Sequence, residues 1–498
     1  MLFEMHFNTG FSPLDWGVFL GYFLILGVSS YLLSRSTISS SEEYFNASHS
    51  MGVLPVALSL VATSQSAATF LGAPEYAYMY DFTFLGFYVS ALLAVLFVAY
   101  YFVPRFYAMK LLTVYELLES RYGVLAKQQA GMMFLVGRVM ASGARLYIAT
   151  LAVSMILFYD VSFLHIVLSS SLLLVGALLY TYFGGVKSVI LSDVIQLVIY
   201  VGAGIVVLVF LYSTLDIHHM WNTLHEYHKL RVLDTSLEGK FSLVSLLTGW
   251  LLLNIAAFGL DQDMSQRVLT CKDKKGAQNA LVISIVITIP IVVLFLAIGS
   301  ALFVHYEGSS IVQKFDDEKI TIFMYYILNE LPDGLKGFVT VGAIAAALSS
   351  TNSVLSALAS VAVEDIYKPW IVARRTDLHP HHFLRVARLS VLGFASLLLV
   401  MVVVSYEWQH VAKIPLVSFA LGVMSFAYSG LLGVFFSAVF TQRGDAQSVP
   451  YALGGGFLVV LFLQPYFFGI HIGFAWQIVI ATGVSFAIMQ MKRGASYG

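Results

Sequence analysis

Long apolar segments recur along the whole of this 498-residue chain, and they restrict its fold more than any other feature. Only 11% of the residues are charged, whereas a soluble protein has about 25%. Inside a bilayer every backbone polar group must find its partner within the protein, so apolar runs of about 20 residues are read as spanning helices. The composition therefore predicts an all-α integral membrane protein.

The hydropathy pattern predicts thirteen transmembrane helices. They cover about 14–33, 53–79, 82–103, 129–158, 161–182, 188–213, 241–263, 278–305, 335–363, 383–404, 411–440, 447–467 and 470–491. We divide the chain into an N-terminal helix with a cytoplasmic loop (1–52), two five-helix units (53–213 and 214–440) and two C-terminal helices (441–498).

The distribution of basic residues predicts the orientation. Most of the 27 Lys and Arg residues fall in loops that this model assigns to the cytoplasm, with the N-terminus outside and the C-terminus inside. The first residues, MLFEMHF, lack the positive region of a signal peptide, so we expect the first helix to be retained. We expect a bacterial inner membrane location and no nucleic-acid partner; a monomer is our expectation, although the sequence does not fix the oligomeric state.

Polar residues interrupt the second and seventh segments. The second places Thr63, Ser64, Gln65, Ser66 and Thr69 at mid-membrane depth; the seventh contains Asn254, Gly259, Asp261, Gln262 and Asp263. Because the two segments lie five helices apart, they match the broken helices of an inverted-repeat transporter. The alternative is that Ser and Thr bond their own backbone and pack helices. Five polar residues within seven positions favour an unwound, ligand-lining segment.

Small and polar residues fill the ninth segment. Ala346, Ser349 and Ser350 share one helix face. A hard monovalent cation such as Na⁺ prefers oxygen ligands, and two hydroxyls with nearby free carbonyls would supply them. From spacing alone, a stripe for close helix packing is an equally good interpretation.

Three of the charged residues inside predicted spans are candidates for a function. Asp193 is predicted to be a second cation ligand, a proton carrier or the partner of an intramembrane arginine. Arg138 and Arg145 are seven residues apart on one helix face. Each is either a structural charge satisfied by Asp193, Glu75 or free carbonyls, or a guanidinium that binds a substrate carboxylate. Arg138 also lies near enough to the cytoplasm to extend its charge toward the membrane surface.

Several stretches of the sequence resemble the sodium/solute symporter family, whose members have the LeuT-type fold of two inverted five-helix repeats. They are Ala346–Ser350, Val361–Lys368, Asn254 with Phe258–Arg267, and Gly184–Gln196. The resemblance covers essentially the whole chain, and it implies one extra N-terminal and two extra C-terminal helices around the repeats.

The resemblance also implies positions for the ligands. A sodium site would use the carbonyls of Ala62, Gln65 and Ala346 with the hydroxyls of Ser349 and Ser350. A second cation site, found in some relatives, would use Asp193, Asn352 and Ser353 with Ser349; asparagine here replaces a serine of those relatives. Substrate contacts would come from Ser64, Ser66, Thr69, Asn254 and Phe258, and we add Arg145 from its charge.

These observations predict a symporter that couples Na⁺ entry to uptake of a small polar solute, with Na⁺ as coupling ion and no organic cofactor. Arg145 and the hydroxyl-rich 64–69 stretch favour an organic anion, either a carboxylate or an acidic sugar. An amino acid or neutral solute is the alternative, and a non-transporting membrane sensor is a more distant one. We expect no enzyme, because no nucleophile–base pair or metal-ligand set lies inside a span.

Overall fold

The computed structural model describes residues 11–33, 38–237, 239–308, 321–374, 379–412, 416–464 and 472–492. The elements named in these ranges are helices. In chain order they are α1 (Pro13–Leu33), α2 (Ser41–Asn46), α3 (Val53–Ser64), α4 (Ala67–Met79), α5 (Leu85–Phe97), α6 (Val103–Met109), α7 (Glu116–Tyr122), α8 (Val124–Phe158), α9 (Phe163–Thr214), α10 (Ile217–Glu226), α11 (Leu243–Leu247), α12 (Gly249–Gly259), α13 (Gln262–Leu269), α14 (Lys274–His305), α15 (Ile322–Asn329), α16 (Leu335–Ser360), α17 (Lys368–Val372), α18 (Pro380–Ala412), α19 (Leu416–Phe440), α20 (Ser448–Phe462) and α21 (Phe474–Gln490).

Many of these helices are long and apolar enough to cross a bilayer. Within the described ranges there are 7 such helices, or up to 9 if each of two bent pairs is one span; three shorter apolar helices lie near the C-terminus. The predicted all-helical membrane architecture is therefore confirmed. The count of thirteen spans and the division into two five-helix units remain predictions.

The second predicted segment is broken where its polar residues cluster. Helix α3 ends at Ser64, α4 begins at Ala67, and the two axes differ by 62°. Gln65 and Ser66 between them have extended backbone angles. The expectation of an unwound segment at this position is confirmed.

The seventh segment is also a bent pair. Residues Leu243–Gly259 and Gln262–Leu269 meet at 49°. Asp261 begins α13, and its side chain accepts the Asp263 N–H. The predicted span ended at residue 263, whereas α13 continues to Leu269 with all eight of its residues buried.

Helix α9 contains a break that separates the predicted fifth and sixth segments. Gly185 has φ +58°, and a Cβ atom there would lie 2.5 Å from the Tyr44 carbonyl oxygen. Glycine is therefore required at this position both for its backbone angles and for the close approach of α2. The Tyr44 hydroxyl bonds to the Thr181 carbonyl on the far side of the break.

The helix formed by residues 335–372 occupies the centre of the bundle. In its apolar window 89% of the residues are buried, against 28% for α1 and for the α18 span. Helix α16 packs on α9, α8, α3, α4 and α13. The small residues predicted to line one face of α16 therefore meet both broken helices.

Candidate sodium and substrate sites

Two neighbouring cavities lie beside the break between α3 and α4. Their volumes are about 670 and 440 Å³, and Thr63, Arg138 and Arg145 line both. The larger is also lined by Ser64, Tyr88, Asn254, Phe258, Asp261 and Tyr428. The smaller is also lined by Ser66, Ser142, Ala347, Ser350 and Thr351. Because they share three polar side chains, the two cavities form one polar region within the apolar bundle.

Free backbone oxygens are expected at the end of α3. The Gln65 N–H donates to the Val61 carbonyl at 2.9 Å, which is the last hydrogen bond of this helix, and the Ser66 carbonyl accepts the first bonds of α4. The last carbonyls of a helix lack intrahelical donors. The carbonyls of residues 62–64 therefore lie beyond the helical bonding of α3, in a region where a cation needs oxygen ligands.

Ser350 reaches the same region from α16. Its hydroxyl donates to the Ala346 carbonyl at 3.1 Å, and its side chain lines the smaller cavity with Thr63 and Ser66. A hydroxyl that donates its proton keeps lone pairs that can bind a cation. The Gln65 side chain is also buried here, and neither of its amide atoms has a hydrogen-bond partner within the described part of the chain. An unpaired amide oxygen and terminal carbonyls are oxygen ligands of the kind that Na⁺ prefers.

Ser349 was predicted for both cation sites, and its hydroxyl contacts a residue of the second. Its hydroxyl donates to Asp193 Oδ1 at 2.7 Å. Asp193 Oδ2 accepts from Ser59 Oγ at 2.5 Å. Ser349 therefore points toward Asp193, and it joins the residues predicted for the second cation site.

Arg267 lies in that second site. Its Nη2 is 3.2 Å from Asp193 Oδ2 and also donates to Ser353 Oγ. The predicted seventh span ends at residue 263 and so places Arg267 in a cytoplasmic loop; this is wrong, because the Arg267 side chain is fully buried in α13. Of the three interpretations of Asp193, the structure agrees with an arginine partner. That partner is Arg267, and not Arg138 or Arg145. The Asn352 side chain faces the Leu348 and Ala177 carbonyls, and its amide nitrogen donates to both, at 3.2 Å each, in the amide orientation that satisfies its hydrogen bonds.

Arg138 is held by two carboxylates. Its Nη1 lies 2.8 Å from Asp261 Oδ2, and its Nη2 pairs with Asp263. The Tyr428 hydroxyl donates to the same Asp261 oxygen. The structural role considered for Arg138 thus holds, but its partners are Asp261 and Asp263 rather than Asp193 or Glu75, and the side chain is buried rather than extended to the surface.

Arg145 has no carboxylate partner among the described residues. Its Nη2 lies 2.9 Å from the Met424 sulfur, which is a weak acceptor. The guanidinium lines both cavities, next to the paired Arg138. A cation buried without a countercharge is costly, so this side chain is suited to binding an anion that enters the cavity.

Most of the predicted substrate residues line the two cavities. Ser64, Asn254 and Phe258 line the larger cavity with Arg145, and Ser66 lines the smaller one. Asn254 Nδ2 is 3.4 Å from the Phe87 carbonyl, at the limit of a hydrogen bond. Thr69 lines neither cavity and lies near the Tyr88 phenol instead.

Comparison with known families agrees with this geometry. A model of the sodium:solute symporter family matches residues 44–450. This chain belongs to that family. It is therefore an integral membrane transporter and not an enzyme, and Na⁺ is the coupling ion that its family implies.

Individual relatives of this symporter are distant. The sodium/sialic acid symporter SiaT of Proteus mirabilis is 27% identical over 88% of this chain and 87% of its own length. The human sodium/iodide cotransporter is 27% identical over 91% of this chain and 70% of its own length. A solved structure of a Na⁺-coupled sialic acid symporter in its substrate-bound outward-open state has a TM-score of 0.82 at 23% identity, covering 96% of this chain and 97% of that one. The symporter therefore has a LeuT-like fold.

Sequence reasoning missed several residues of the symporter's polar region. Tyr88, Thr288, Met424 and Tyr428 line the larger cavity but come from helices without a polar cluster. A single polar residue on an apolar helix gives no signal in sequence that separates a cavity-lining position from a satisfied core position. Arg267 did have a signal, because it follows Asp263 by four residues, the spacing of a helical ion pair.

Proposed function

We propose that this symporter uses the Na⁺ gradient to import a small organic anion, either a carboxylate or an acidic sugar. The observation that carries the proposal is Arg145, a partly buried guanidinium that lines both cavities and has no ion-pair partner in the described residues. A carboxylate placed there would make charge-assisted, bidentate hydrogen bonds. Ser64 and Asn254 would bond the remaining polar groups of the solute.

The charge balance of the region supports an anion accompanied by Na⁺. Arg138 is balanced by Asp261 and Asp263, which together carry one negative charge more than Arg138. Arg267 pairs with Asp263 and Asp193. When Arg145 is included, the region has as many arginines as aspartates, and its net charge is zero. One anion and one Na⁺ would enter this region without changing its net charge, which lowers the electrostatic cost of burial.

The proposed sodium site combines the carbonyls of Ala62, Gln65 and Ala346 with Ser350. Ser349 was also predicted for this site, but its hydroxyl oxygen would have to bind Na⁺ while it donates to Asp193. Sodium bound here would join the broken α3–α4 pair to α16, so it would favour one arrangement of the transporter and organise the substrate cavity. The membrane potential would contribute about 2.3 kcal/mol per 100 mV for each net charge moved, so uptake of one Na⁺ with one monovalent anion would be driven by the Na⁺ concentration gradient alone.

The sodium assignment is tested by Ser350→Ala in proteoliposomes. Losing one hydroxyl ligand of a cation costs roughly 1.5–3 kcal/mol, so half-maximal uptake should need about 10- to 100-fold more Na⁺. Ser356→Ala is the matched control, because Ser356 is a buried serine on the same helix that lines neither cavity. Unchanged Na⁺ dependence in a folded Ser350→Ala protein would remove Ser350 from the site.

The substrate class is tested by Arg145→Gln. Uptake driven by a Na⁺ gradient is measured for a panel of carboxylates, acidic sugars, amino acids and neutral sugars. Truncating one partner of a buried charge pair costs about 2–5 kcal/mol, so anion uptake should fall at least about 30-fold. Met424→Leu removes the sulfur contact but keeps the charge, and it should transport normally. Undiminished anion uptake by Arg145→Gln would exclude Arg145 as the anion ligand.

An amino acid is the second candidate, because Asp261 lines the larger cavity together with Arg145. A zwitterion would place its carboxylate on Arg145 and its ammonium near Asp261, although Asp261 already pairs with Arg138. An amino acid and the 2-hydroxy acid of the same skeleton differ only in that ammonium group. Transport of the amino acid alone would favour this candidate over the organic anion.

The topology is also a proposal. We place the N-terminus outside and the C-terminus in the cytoplasm of a bacterial inner membrane, with the chain acting as a monomer. Because Arg267 is buried in the bundle, the basic segment Lys272–Lys275 marks the cytoplasmic end of α13 in this proposal. Cysteine labelling of that segment from either side of the membrane would test the orientation.

A further inference from the structure

An apolar wall lines part of the larger cavity. It is formed by three helices, of which α5 packs on both α12 and α14. On α5 and on α12 the wall residues are spaced four positions apart, so they lie on one face of each helix. They are Phe87 and Ala91 of α5, Leu253, Ala257 and Phe258 of α12, and Ile285 of α14. Arg145 belongs to α8, so the charge and the apolar wall come from different helices.

Most polar side chains of the larger cavity are bonded within the protein. The hydroxyls of Ser64 and Thr288 donate to backbone carbonyls of their own helices, both at 2.9 Å. The Tyr428 hydroxyl donates to Asp261, which also pairs with Arg138. These three hydroxyls keep lone pairs but have no proton left for a solute. A solute with many acceptors would therefore leave some of them unpaired, and each would weaken binding about 5- to 150-fold.

Two donors suited to a carboxylate lie together on α8. Arg145 lines both cavities, and Ser142 precedes it by three residues on the same helix face and lines the smaller cavity. Within the described ranges the buried Ser142 hydroxyl has no hydrogen-bond partner. A carboxylate between these side chains would accept from the guanidinium and from the hydroxyl, and both bonds would be charge-assisted.

We propose that the solute is a monocarboxylate with a largely apolar body, such as a branched aliphatic or aromatic acid, and not an acidic sugar. The inference rests on the organic-anion import proposed above and names its substrate class. Arg145 and Ser142 hold the carboxylate, and the body lies against the wall formed by α5, α12 and α14. One further polar group of the solute can bond to Ser64 or Asn254, which line the same cavity.

The wall disfavours two other kinds of organic anion. An acidic sugar carries several hydroxyls, and burial against Phe87, Phe258 and Ile285 would leave them without partners. A dicarboxylate would bring a second negative charge to the same apolar surface. An apolar body gains affinity there instead, by about 4-fold for each methylene group removed from water.

The direct test is ligand-dependent thermal stabilisation of the purified full-length protein in saturating Na⁺, from which dissociation constants follow. The ligands are the straight-chain acids from acetate to hexanoate, with phenylacetate, glucuronate and succinate. We expect the dissociation constant to fall about 4-fold with each methylene until the wall is covered. Pentanoate should bind at least about 10-fold more tightly than glucuronate or succinate.

The outcomes separate this inference from the proposed function. A series without dependence on chain length, or tighter binding of glucuronate than of pentanoate, would overturn the apolar monocarboxylate and leave organic-anion import intact. Stabilisation by none of the carboxylates, or equal stabilisation by pentanoate and the uncharged pentanamide, would overturn both.

Two variants test the body and the carboxylate separately. Ala257→Leu adds an isopropyl group to the wall, so affinity should stop rising at an acid about three carbons shorter. Ala438→Leu is the matched control, because Ala438 is a partly buried alanine that lines neither cavity. Ser142→Ala should weaken every carboxylate by about 10-fold or more and leave the gain per methylene unchanged.

An unchanged chain-length limit in a folded Ala257→Leu protein would place the body of the solute elsewhere and contradict the inference. Unchanged affinity in Ser142→Ala would remove Ser142 from the carboxylate site. If Ala257→Leu does not fold, the chain-length series of the wild type decides the question.

Discussion

The ion pair between Arg138 and Asp261 should contribute strongly to stability, and a double-mutant cycle measures it. Both side chains are buried, at 6% and 2% exposure, and their closest atoms are 2.8 Å apart. Removing one partner of a buried pair costs about 3–5 kcal/mol, because the remaining charge is left in a low-dielectric environment. Arg138→Gln should have this cost, because it leaves Asp261 with only Tyr428 and the Asp263 N–H as donors.

Asp261→Asn should cost less, about 1–2 kcal/mol, because Arg138 still has Asp263 and only one charge-assisted bond is replaced by a neutral one. The double variant should be more stable than Arg138→Gln alone, because no carboxylate at position 261 is then left unpaired. We therefore expect a coupling energy of at least about 1–2 kcal/mol, the cost of Asp261→Asn alone, whereas independent sites are additive within about 0.5 kcal/mol.

The assay is the free energy of unfolding in detergent micelles for the wild type, the two single variants and the double variant. The exposed pair Lys492–Asp445, whose nearest atoms are 3.4 Å apart, is the matched control. Surface pairs contribute about 0–1 kcal/mol, so the same cycle there should give a small coupling energy. Additive effects at 138 and 261 would refute the pairing seen in the structure.

Two further predictions concern close helix packing and the segment that follows α10. Gly299→Ala should destabilise the protein by about 1–3 kcal/mol, because its Cβ would lie 2.0 Å from the Pro74 carbonyl oxygen. Gly454→Ala is the control, since nothing lies within 4 Å of its Cβ; equal melting temperatures for the two variants would contradict the packing of α14 on α4. Lys229→Met should make the α10 region more sensitive to protease, because the buried Lys229, whose pKa is lowered by desolvation, donates from Nζ to the Tyr78 carbonyl at 2.6 Å. An unchanged cleavage rate would show that this contact does not hold the segment in place.

The broken helices could be predicted from sequence because their signal is local. Five polar residues between Thr63 and Thr69 are unusual in an apolar helix unless they line a cavity, and the helix breaks among them, at Gln65 and Ser66. The polar run after Gly259 gave the same signal, and the bend lies there. Local composition was sufficient in both places, since unsatisfied backbone is tolerated at membrane depth only where it lines a cavity.

The charge partners could not be predicted because they are distant in sequence. Asp193 and Arg267 are 74 residues apart, and Arg138 and Asp263 are 125 residues apart. Hydropathy also misplaced Arg267, because the sequence of α13 is as polar as a cytoplasmic loop. Only the packing of α13 against α3 and α16 shows that this polar helix is interior. The sequence predicted that Asp193 needs a partner inside the membrane, but only the three-dimensional arrangement shows that this partner is Arg267.

The buried polar helix α13 has a consequence for how the protein is made. A charged residue opposes insertion of its segment by the translocon, by about 2.5–3.5 kcal/mol at the segment centre and by less toward its ends, so Asp263 and Arg267 near the end of the seventh segment both oppose entry of α13. The carboxylate of Asp193 is synthesised earlier, whereas Ser353 emerges later. When α13 is synthesised, its partner Asp193 is therefore already present, but its partner Ser353 is not. We expect the seventh segment to complete its membrane integration only after α16 has left the ribosome.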